Sequence, residues 1–155
     1  MLTADIVITA DCWRAEPAAE AIVQRAIVAA AGAASEQADR GELAVMLTDD
    51  DGIRTLNHDW RGIDKPTNVL SFPAVALPGR GGEPRALGDI AIAYETTRRE
   101  AETENKPFGH HLSHLAIHGF LHLIGYDHET DDDAETMEQL ERNILARLGI
   151  PDPYA

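Results

Sequence analysis

The spacing of three histidines constrains this chain more than any other feature of its sequence. Residues 118–128 read HGFLHLIGYDH, with histidines at 118, 122 and 128 and a glycine at 125. On an α-helix, His118 and His122 lie on the same face, one turn apart. Gly125 can adopt the left-handed conformation that often ends a helix, and a turn there would bring His128 back to that face. The spacing therefore predicts three imidazoles that converge at the end of a helix.

Three converging imidazoles are a ligand set for a metal ion. Catalytic zinc sites have three protein ligands and one open position, whereas structural zinc sites are usually closed by four protein ligands. Six of the seven histidines lie between residues 110 and 128, so chance clustering is a poor explanation. Histidines that only pack in a core or face solvent are the alternative. We predict one Zn²⁺ per chain, bound by His118, His122 and His128.

Length, hydropathy and cysteine usage limit the class of protein. The chain has 155 residues, of which 44% are hydrophobic, and this predicts one domain with a full core over residues 1–155. No apolar run approaches the roughly 18 residues that span a bilayer. The first residues lack the pattern of a signal peptide, and the single cysteine cannot form an internal disulfide. We therefore expect a cytoplasmic protein that does not contact a membrane.

The charge is strongly negative but unevenly distributed. The net charge of −14 argues against general binding to polyanions, and we do not expect DNA as a partner. Residues 54–106 nevertheless contain eight basic and eight acidic side chains, so this middle segment is neutral and the flanks are acidic. A local basic surface is therefore expected to come from the middle of the chain.

Hydrophobic periodicity predicts an α+β domain. Strands are expected at about residues 4–10, 42–48, 69–73 and 87–93. Helices are expected at about residues 17–32, 94–105, 107–125 and 132–148, with a further helix that Thr48 caps and that carries Ile53, Leu56 and Trp60. Residues 78–84 are rich in glycine and proline and predict a loop.

The order of these elements predicts their arrangement. The first two strands are separated by a helix and should be parallel, whereas the last two should form an antiparallel hairpin at one edge. The result is a mixed sheet of about four strands packed against about five helices. The helix that carries the metal-binding histidines is apolar on several sides, so we expect it to be central.

A three-histidine zinc site points to hydrolysis. Zinc lowers the pKa of a bound water molecule and polarises carbonyl or phosphoryl oxygens. The spacing is that of the metzincin metalloproteases, but those enzymes place a glutamate general base directly after the first histidine. Gly119 occupies that position here. A zinc hydrolase of another class, such as a peptidase with an unusual base, therefore stays open as an alternative.

A second similarity covers more of the chain. Residues 61–73 (RGIDKPTNVLSFP), 87–90 (LGDI) and 118–128 resemble, in this order, the signatures of the YbeY family of bacterial metal-dependent endoribonucleases. The resemblance implies single-strand-specific RNA cleavage in 16S rRNA 3′-end maturation and ribosome quality control. It implies rRNA, the small ribosomal subunit and ribosome-associated proteins as partners. It also implies zinc on His118, His122 and His128 and a catalytic role for Arg61.

Five further side chains are candidates for the site, namely Arg61, Asn68, Ser71, His114 and Asp89. The guanidinium of Arg61 can hold a phosphate by two hydrogen bonds and offset developing charge, although a surface salt bridge is the alternative. Asn68 and Ser71 are expected to offer hydrogen bonds beside the cleft, or to cap a loop and a strand. Asp89 could accept a hydrogen bond from a metal-binding histidine, and His114 could do the same or carry protons. Packing for His114 and a chain turn for Asp89 are the alternatives.

A third interpretation is a non-catalytic zinc-containing ribosome-assembly factor with a structural metal. The open coordination position favours an enzyme over this interpretation. The acidic surface favours protein partners and keeps the interpretation open.

Overall fold

The computed structural model describes residues 2–34, 41–74 and 85–154. Its strands are β1 (Thr3–Ile8), β2 (Gly41–Thr48), β3 (Val69–Pro73) and β4 (Arg85–Ala93). Its α-helices are α1 (Ala19–Ala34), α2 (Asp50–Arg61), α3 (Tyr94–Thr103), α4 (Phe108–Leu123) and α5 (Asp131–Arg147), with a 3₁₀ turn at Asp11–Ala15. The predicted α+β class, the mixed sheet and the five helices in the described ranges are confirmed. The loop predicted at residues 78–84 lies outside the described residues.

The sheet has the order β1-β2-β4-β3. Strand β2 is parallel to both β1 and β4, and β3 is antiparallel to β4. The predicted parallel pair and the antiparallel hairpin are therefore confirmed. Strand β3 lies at the edge of the described sheet, which leaves one of its sides without a neighbouring strand.

Helix α4 is central, as its sequence predicts. It contacts α1, α3 and α5 as well as strands β3 and β4. Leu112, Ile117, Phe120 and Leu121 are fully buried on this helix, which explains why its sequence is apolar on several sides. Each of these large side chains contributes roughly 1.5–3 kcal/mol through burial.

The opposite face of the sheet is covered by α2 at the β3–β4 end. Ile53 is buried there against Leu70, Ala91 and Ala93. The prediction that Trp60 belongs to the apolar face of α2 is wrong, because Trp60 is 72% exposed. Trp60 lies in the last turn of the helix, beyond the buried part of this small cluster.

The cap of α2 is also different from the predicted one. Asp49 caps the helix, since its side chain accepts a hydrogen bond from the Gly52 amide at 2.8 Å. Thr48 is the last residue of β2 and is buried, and its backbone oxygen accepts a hydrogen bond from Trp13 Nε1 at 2.7 Å. Because Thr48 still belongs to the strand, the helix begins one residue later than predicted.

None of the helices within residues 2–34, 41–74 and 85–154 is long and apolar enough to cross a membrane.

Gly88 provides a test of the β3–β4 pairing. Its φ is +134°, and a Cβ atom at this position would lie 2.2 Å from the backbone oxygen of Phe72. Because that oxygen belongs to the neighbouring strand, Gly88→Ala should lower the free energy of unfolding by about 2 kcal/mol or more, through backbone strain and overpacking. Urea unfolding measures this value.

The matched control is Gly32→Ala in α1. A Cβ atom on Gly32 would have no other group within 4 Å, so the substitution should stabilise the protein by up to about 1 kcal/mol through helix propensity. Equal effects of the two substitutions would contradict the described pairing of β3 with β4.

Candidate metal centre

Three histidines meet where α4 ends. His118 and His122 lie on the last two turns of the helix, and Gly125 follows with a φ of +107°. The Tyr126 amide then donates to the Leu121 oxygen at 3.0 Å, which closes the turn. One ring nitrogen from each of His118, His122 and His128 lies within 4.8 Å of the other two. The structure therefore brings together the three imidazoles whose convergence the spacing predicts.

Hydrogen bonds orient two of the rings toward a common point. His122 Nδ1 is 2.9 Å from the Tyr126 backbone oxygen, so Nδ1 carries the proton and Nε2 has the free lone pair. His118 Nδ1 faces both carboxylate oxygens of Glu141 at 3.4 Å, which favours the same tautomer. In both rings the Nε2 lone pair is then free to bind a cation.

The separation of the two Nε2 atoms fits a metal site. They are 3.0 Å apart, and two lone pairs at this distance repel each other unless a cation lies between them. In a tetrahedral zinc site with Zn–N distances of about 2.0–2.1 Å, two ligand nitrogens are about 3.3 Å apart. The donor set therefore fits Zn²⁺ with small adjustments of the rings.

The surroundings of His122 favour its neutral form. Burial lowers its pKa, and the neighbouring His118 and His128 lower it further, against the opposing effects of the Tyr126 oxygen and Glu141. A histidine must be neutral to bind a metal ion. The lowered pKa therefore reduces competition between protons and a metal for this ligand.

Glu141 on α5 is a buried carboxylate behind the histidine cluster, and it is absent from the residues that the sequence motifs single out. His114 Nε2 lies 2.6 Å from Glu141 Oε1, and the Tyr154 hydroxyl donates to the same oxygen at 2.9 Å. Burial opposes ionisation, but the hydrogen bonds from His114 and His118 outweigh it and lower the pKa of Glu141 to about 2. Glu141 is therefore a negative charge at neutral pH that supports His118 from behind.

The sequence does contain a signal for Glu141. Helix α5 buries Met137, Glu141, Ile144 and Leu145, which follow the i, i+4, i+7, i+8 spacing of an apolar face. A glutamate at such a position needs hydrogen-bonding partners inside the protein. Burial and the charge of Glu141 also raise the pKa of Tyr154, so its hydroxyl remains a donor.

The histidines open into a cleft of about 570 Å³. Residues that line it are Arg61, Asn68, Val69, Leu70, Ser71, Pro73, His118, His122, Gly125, Tyr126, Asp127 and His128. Arg61 is the last residue of α2, and Gly62 turns the chain there with a φ of +70°. The structure thus places the arginine of the 61–73 motif in the same cleft as the three histidines.

Asn68 and Ser71 line this cleft, but both also hold the fold together. Ser71 Oγ donates to the Gly119 backbone oxygen at 2.9 Å, which joins β3 to α4. Asn68 Nδ2 donates to Glu100 Oε1 at 2.9 Å, and its Oδ1 accepts from the Val69 amide at 2.7 Å. Their polar groups are therefore engaged in positioning β3 beside the histidine helix.

The other two predicted residues lie outside the cleft. His114 does not line it; its ring lies edge-to-face with that of His118 at 6.3 Å, and both rings contact Glu141. Asp89 is exposed on β4, and within the described residues no hydrogen bond joins it to a histidine. Asp127, which the sequence motifs do not single out as a functional residue, is the one carboxylate among the described residues that line the cleft.

Packing explains why residue 119 is glycine. A Cβ atom there would lie 3.0 Å from Ile90 Cγ2, 3.2 Å from Ser71 Oγ and 3.3 Å from Val69 Cγ2. A glutamate side chain there would have to displace these neighbours between α4 and the sheet. At the position where metzincins have their general base, this chain therefore has a glycine that packs closely against the sheet.

The ligand assignment predicts the metal content of single variants. His118→Ala and His122→Ala should each abolish stoichiometric zinc binding, because two remaining imidazoles make a poor site. Elemental analysis of the purified variants measures this, and nickel and copper should be measured too because imidazoles bind them as well. His110→Ala is the control, since His110 lies outside the cleft. One tightly bound zinc ion in both ligand variants would refute the assignment.

The contact between Glu141 and His118 predicts an effect on metal affinity. Glu141→Gln keeps the shape of the side chain but removes the charge that orients His118, so zinc affinity should fall by about 10- to 100-fold. Competition with a chromophoric chelator measures the affinity, and circular dichroism checks the fold. Glu138→Gln on the same helix is the matched control. Unchanged zinc affinity in Glu141→Gln would show that this contact does not support the metal.

Comparisons with known proteins identify the family of the chain. The family model described as Endoribonuclease YbeY matches residues 8–149. The chain is 68% identical to the Endoribonuclease YbeY of Bradyrhizobium diazoefficiens, over 97% of this chain and 84% of that protein. It is 66% identical to the Endoribonuclease YbeY of Rhodopseudomonas palustris strain BisA53, over 97% of this chain and 89% of that protein.

A solved structure shares the fold. The solution structure of TM1509 from Thermotoga maritima is similar with a TM-score of 0.58 and 23% identity, over 94% of this chain and 91% of that one. With a family model that matches most of its length and full-length relatives at this identity, the chain belongs to the YbeY family.

Proposed function

We propose that this protein is a zinc-dependent endoribonuclease that cleaves single-stranded RNA, with residues 1–155 acting as one domain. The observation that carries the proposal is that Arg61 lines the same cleft as His118, His122 and His128. A metal-ligand set beside a guanidinium suits a phosphodiester substrate. The relatives that are named endoribonucleases support RNA as that substrate.

The three histidines would hold one zinc ion per chain. His118 and His122 would bind through Nε2, because their Nδ1 atoms face Glu141 and the Tyr126 oxygen. When bound, zinc supplies Lewis acidity toward phosphoryl oxygens. Glu141 keeps His118 oriented and offsets part of the positive charge at the centre.

Arg61 would bind and orient the substrate. Its exposed guanidinium can form two parallel hydrogen bonds to the oxygens of one phosphate. These bonds would strengthen as charge develops at phosphorus, which stabilises the transition state. Arg54, on the same helix, is already engaged by Asp64 at 2.7 Å and 3.1 Å, so Arg61 is the better placed cation for this role.

We further propose that the cellular substrate is rRNA and that the protein acts in the cytoplasm. The motifs at residues 61–73 and 118–128 support action in 16S rRNA 3′-end maturation and ribosome quality control. The net charge of −14 suits a second contact to basic proteins of the small ribosomal subunit or associated with it. Cleavage of precursor small subunits by the purified protein would test this assignment.

Substitution of Arg61 tests whether its guanidinium takes part in RNA cleavage. Arg61→Ala should lower the single-turnover rate of RNA cleavage by on the order of a hundredfold, the scale of losing one strong electrostatic donor. Arg61→Lys should recover only part of the rate, because an ammonium group cannot reproduce the planar two-donor fork. The measurement is cleavage of a short single-stranded RNA, with zinc content and circular dichroism recorded for each variant.

The matched control is Arg25→Ala, which removes an exposed arginine of α1 away from the cleft. It should cleave RNA like the parent protein. Unchanged cleavage in Arg61→Ala would remove Arg61 from the mechanism. Loss of fold in Arg61→Ala would instead make Arg61 a structural residue.

A further inference from the structure

We propose that Trp60 is a stacking platform for an unpaired nucleobase of the RNA strand whose phosphate contacts Arg61. The proposal rests on the proposed RNA-cleaving function and adds a substrate-binding residue to it. Trp60 is 72% exposed, more than any other large hydrophobic side chain in the described part of the protein. The helical pattern would allow Trp60 to join the core, yet its indole faces solvent.

Trp60 lies beside the cleft but is not among the residues that line it. It directly precedes Arg61, which lines the cleft, and its ring centroid is 6.0 Å from that of Phe72 at an interplanar angle of 58°. Phe72 in turn lies between Ser71 and Pro73, and both of these residues line the cleft. The two aromatic rings therefore lie near Arg61 on the α2 side of β3, the face that points away from the histidines.

The edge position of β3 gives an RNA strand a path to Trp60. Ser71 projects toward α4, where it bonds Gly119, and Phe72 projects to the other face of the strand, toward α2. No strand lies beyond β3 in the described sheet. A single strand that leaves the histidines and passes Arg61 at this open edge would place one of its following bases against Trp60.

The segment around Trp60 is held in place before any substrate binds. Gly62 ends α2 in the left-handed conformation, and Asn57 Nδ2 donates to the Lys65 oxygen at 2.9 Å across the following loop. The Arg54–Asp64 pair closes the same loop with two hydrogen bonds. A preorganised platform loses little conformational entropy on binding, so more of the stacking energy appears as affinity.

Stacking on an exposed indole suits the proposed single-strand preference. Every base has a π-face, so such a platform is tolerant of sequence, but only an unpaired base can leave its neighbours to stack on it. Arg61 and the exposed Lys65 supply positive charge for the adjacent backbone. The proposal therefore predicts that Trp60 contributes to affinity for single-stranded RNA and little to affinity for a duplex.

The two tryptophans of the chain allow a direct test by fluorescence. Trp13 is 2% exposed and its Nε1 bonds the Thr48 oxygen, so only Trp60 can meet a ligand. Stopped-flow mixing of the zinc-loaded protein with a short single-stranded RNA, before cleavage, should quench tryptophan emission. The Trp60→Phe variant, which retains Trp13, should show no quenching, and a duplex of the same sequence should quench the parent protein little.

Kinetics of variants provide the second readout. Trp60→Ala should raise the RNA concentration for half-maximal cleavage roughly tenfold, the scale of losing one base–aromatic stack, with the main effect on KM rather than kcat. Trp60→Phe should restore most of the affinity because a phenyl ring also stacks. Val28→Ala, which truncates another exposed apolar residue on α1, is the matched control. An abasic nucleotide beside the cut site should weaken binding to the parent protein but not to Trp60→Ala.

Three results would overturn the proposal in distinguishable ways. If the parent protein cleaves RNA but neither quenching nor the KM change occurs, Trp60 does not contact the substrate. If Trp60→Ala has an unchanged KM for RNA but no longer binds a ribosomal protein, the exposed indole belongs to a protein contact instead. If the parent protein neither binds nor cleaves RNA, the proposed function itself fails and the stacking role fails with it.

Discussion

Close packing of α4 against β3 and β4 positions the histidine helix relative to the edge strand of the cleft. A Cβ atom on residue 119 would lie only 3.0–3.3 Å from Ile90, Ser71 and Val69, and the backbone oxygen of Gly119 accepts the hydrogen bond from Ser71. This contact sets the distance between the helix that carries the histidines and the edge strand that forms the opposite wall. This contact is made by a glycine at the position where metzincins have their glutamate general base. The helix–sheet distance and the absence of a base at this position therefore have one physical cause.

A buried negative charge stabilises the other side of the histidine helix. Burying an isolated carboxylate is very unfavourable, so Glu141 depends on its contacts with His114, His118 and Tyr154. These contacts join α4, α5 and the C-terminal segment around one group. They also favour the tautomer of His118 that leaves Nε2 free for a metal. A change in the C-terminal segment that moved Tyr154 would therefore affect the orientation of His118 through Glu141.

Local patterns in the sequence are sufficient to predict the helices and strands and the convergence of the three histidines. Strand β3 occurs at the residues where it is predicted, and the ends of the other numbered strands and helices with predicted bounds differ from the prediction by no more than two residues. The histidine convergence is predictable because helical spacing and a glycine turn are both local features. The same patterns place the cap of α2 at Thr48 rather than Asp49, because they do not show that the strand continues through Thr48.

Local patterns cannot predict contacts between residues that are far apart in the sequence. Glu141 is separated by more than twenty residues from the histidine it supports, and only the packing of α5 on α4 brings them together. The exposure of Trp60 follows from the small size of the α2 cluster, which ends before the last helical turn. Asp89 lies in the segment 87–90 that resembles a YbeY signature. The register of β4 nevertheless places its side chain on the surface and away from the histidines.

Titration of the metal-stripped protein with zinc tests the central claim most directly, namely that the histidine cleft is a metal-dependent RNA-cleaving site. RNA cleavage should be absent after chelation, rise in proportion to added zinc and reach its maximum at one zinc ion per chain. Full RNA cleavage by the stripped protein would contradict the account. So would maximal RNA cleavage without metal bound to the three histidines.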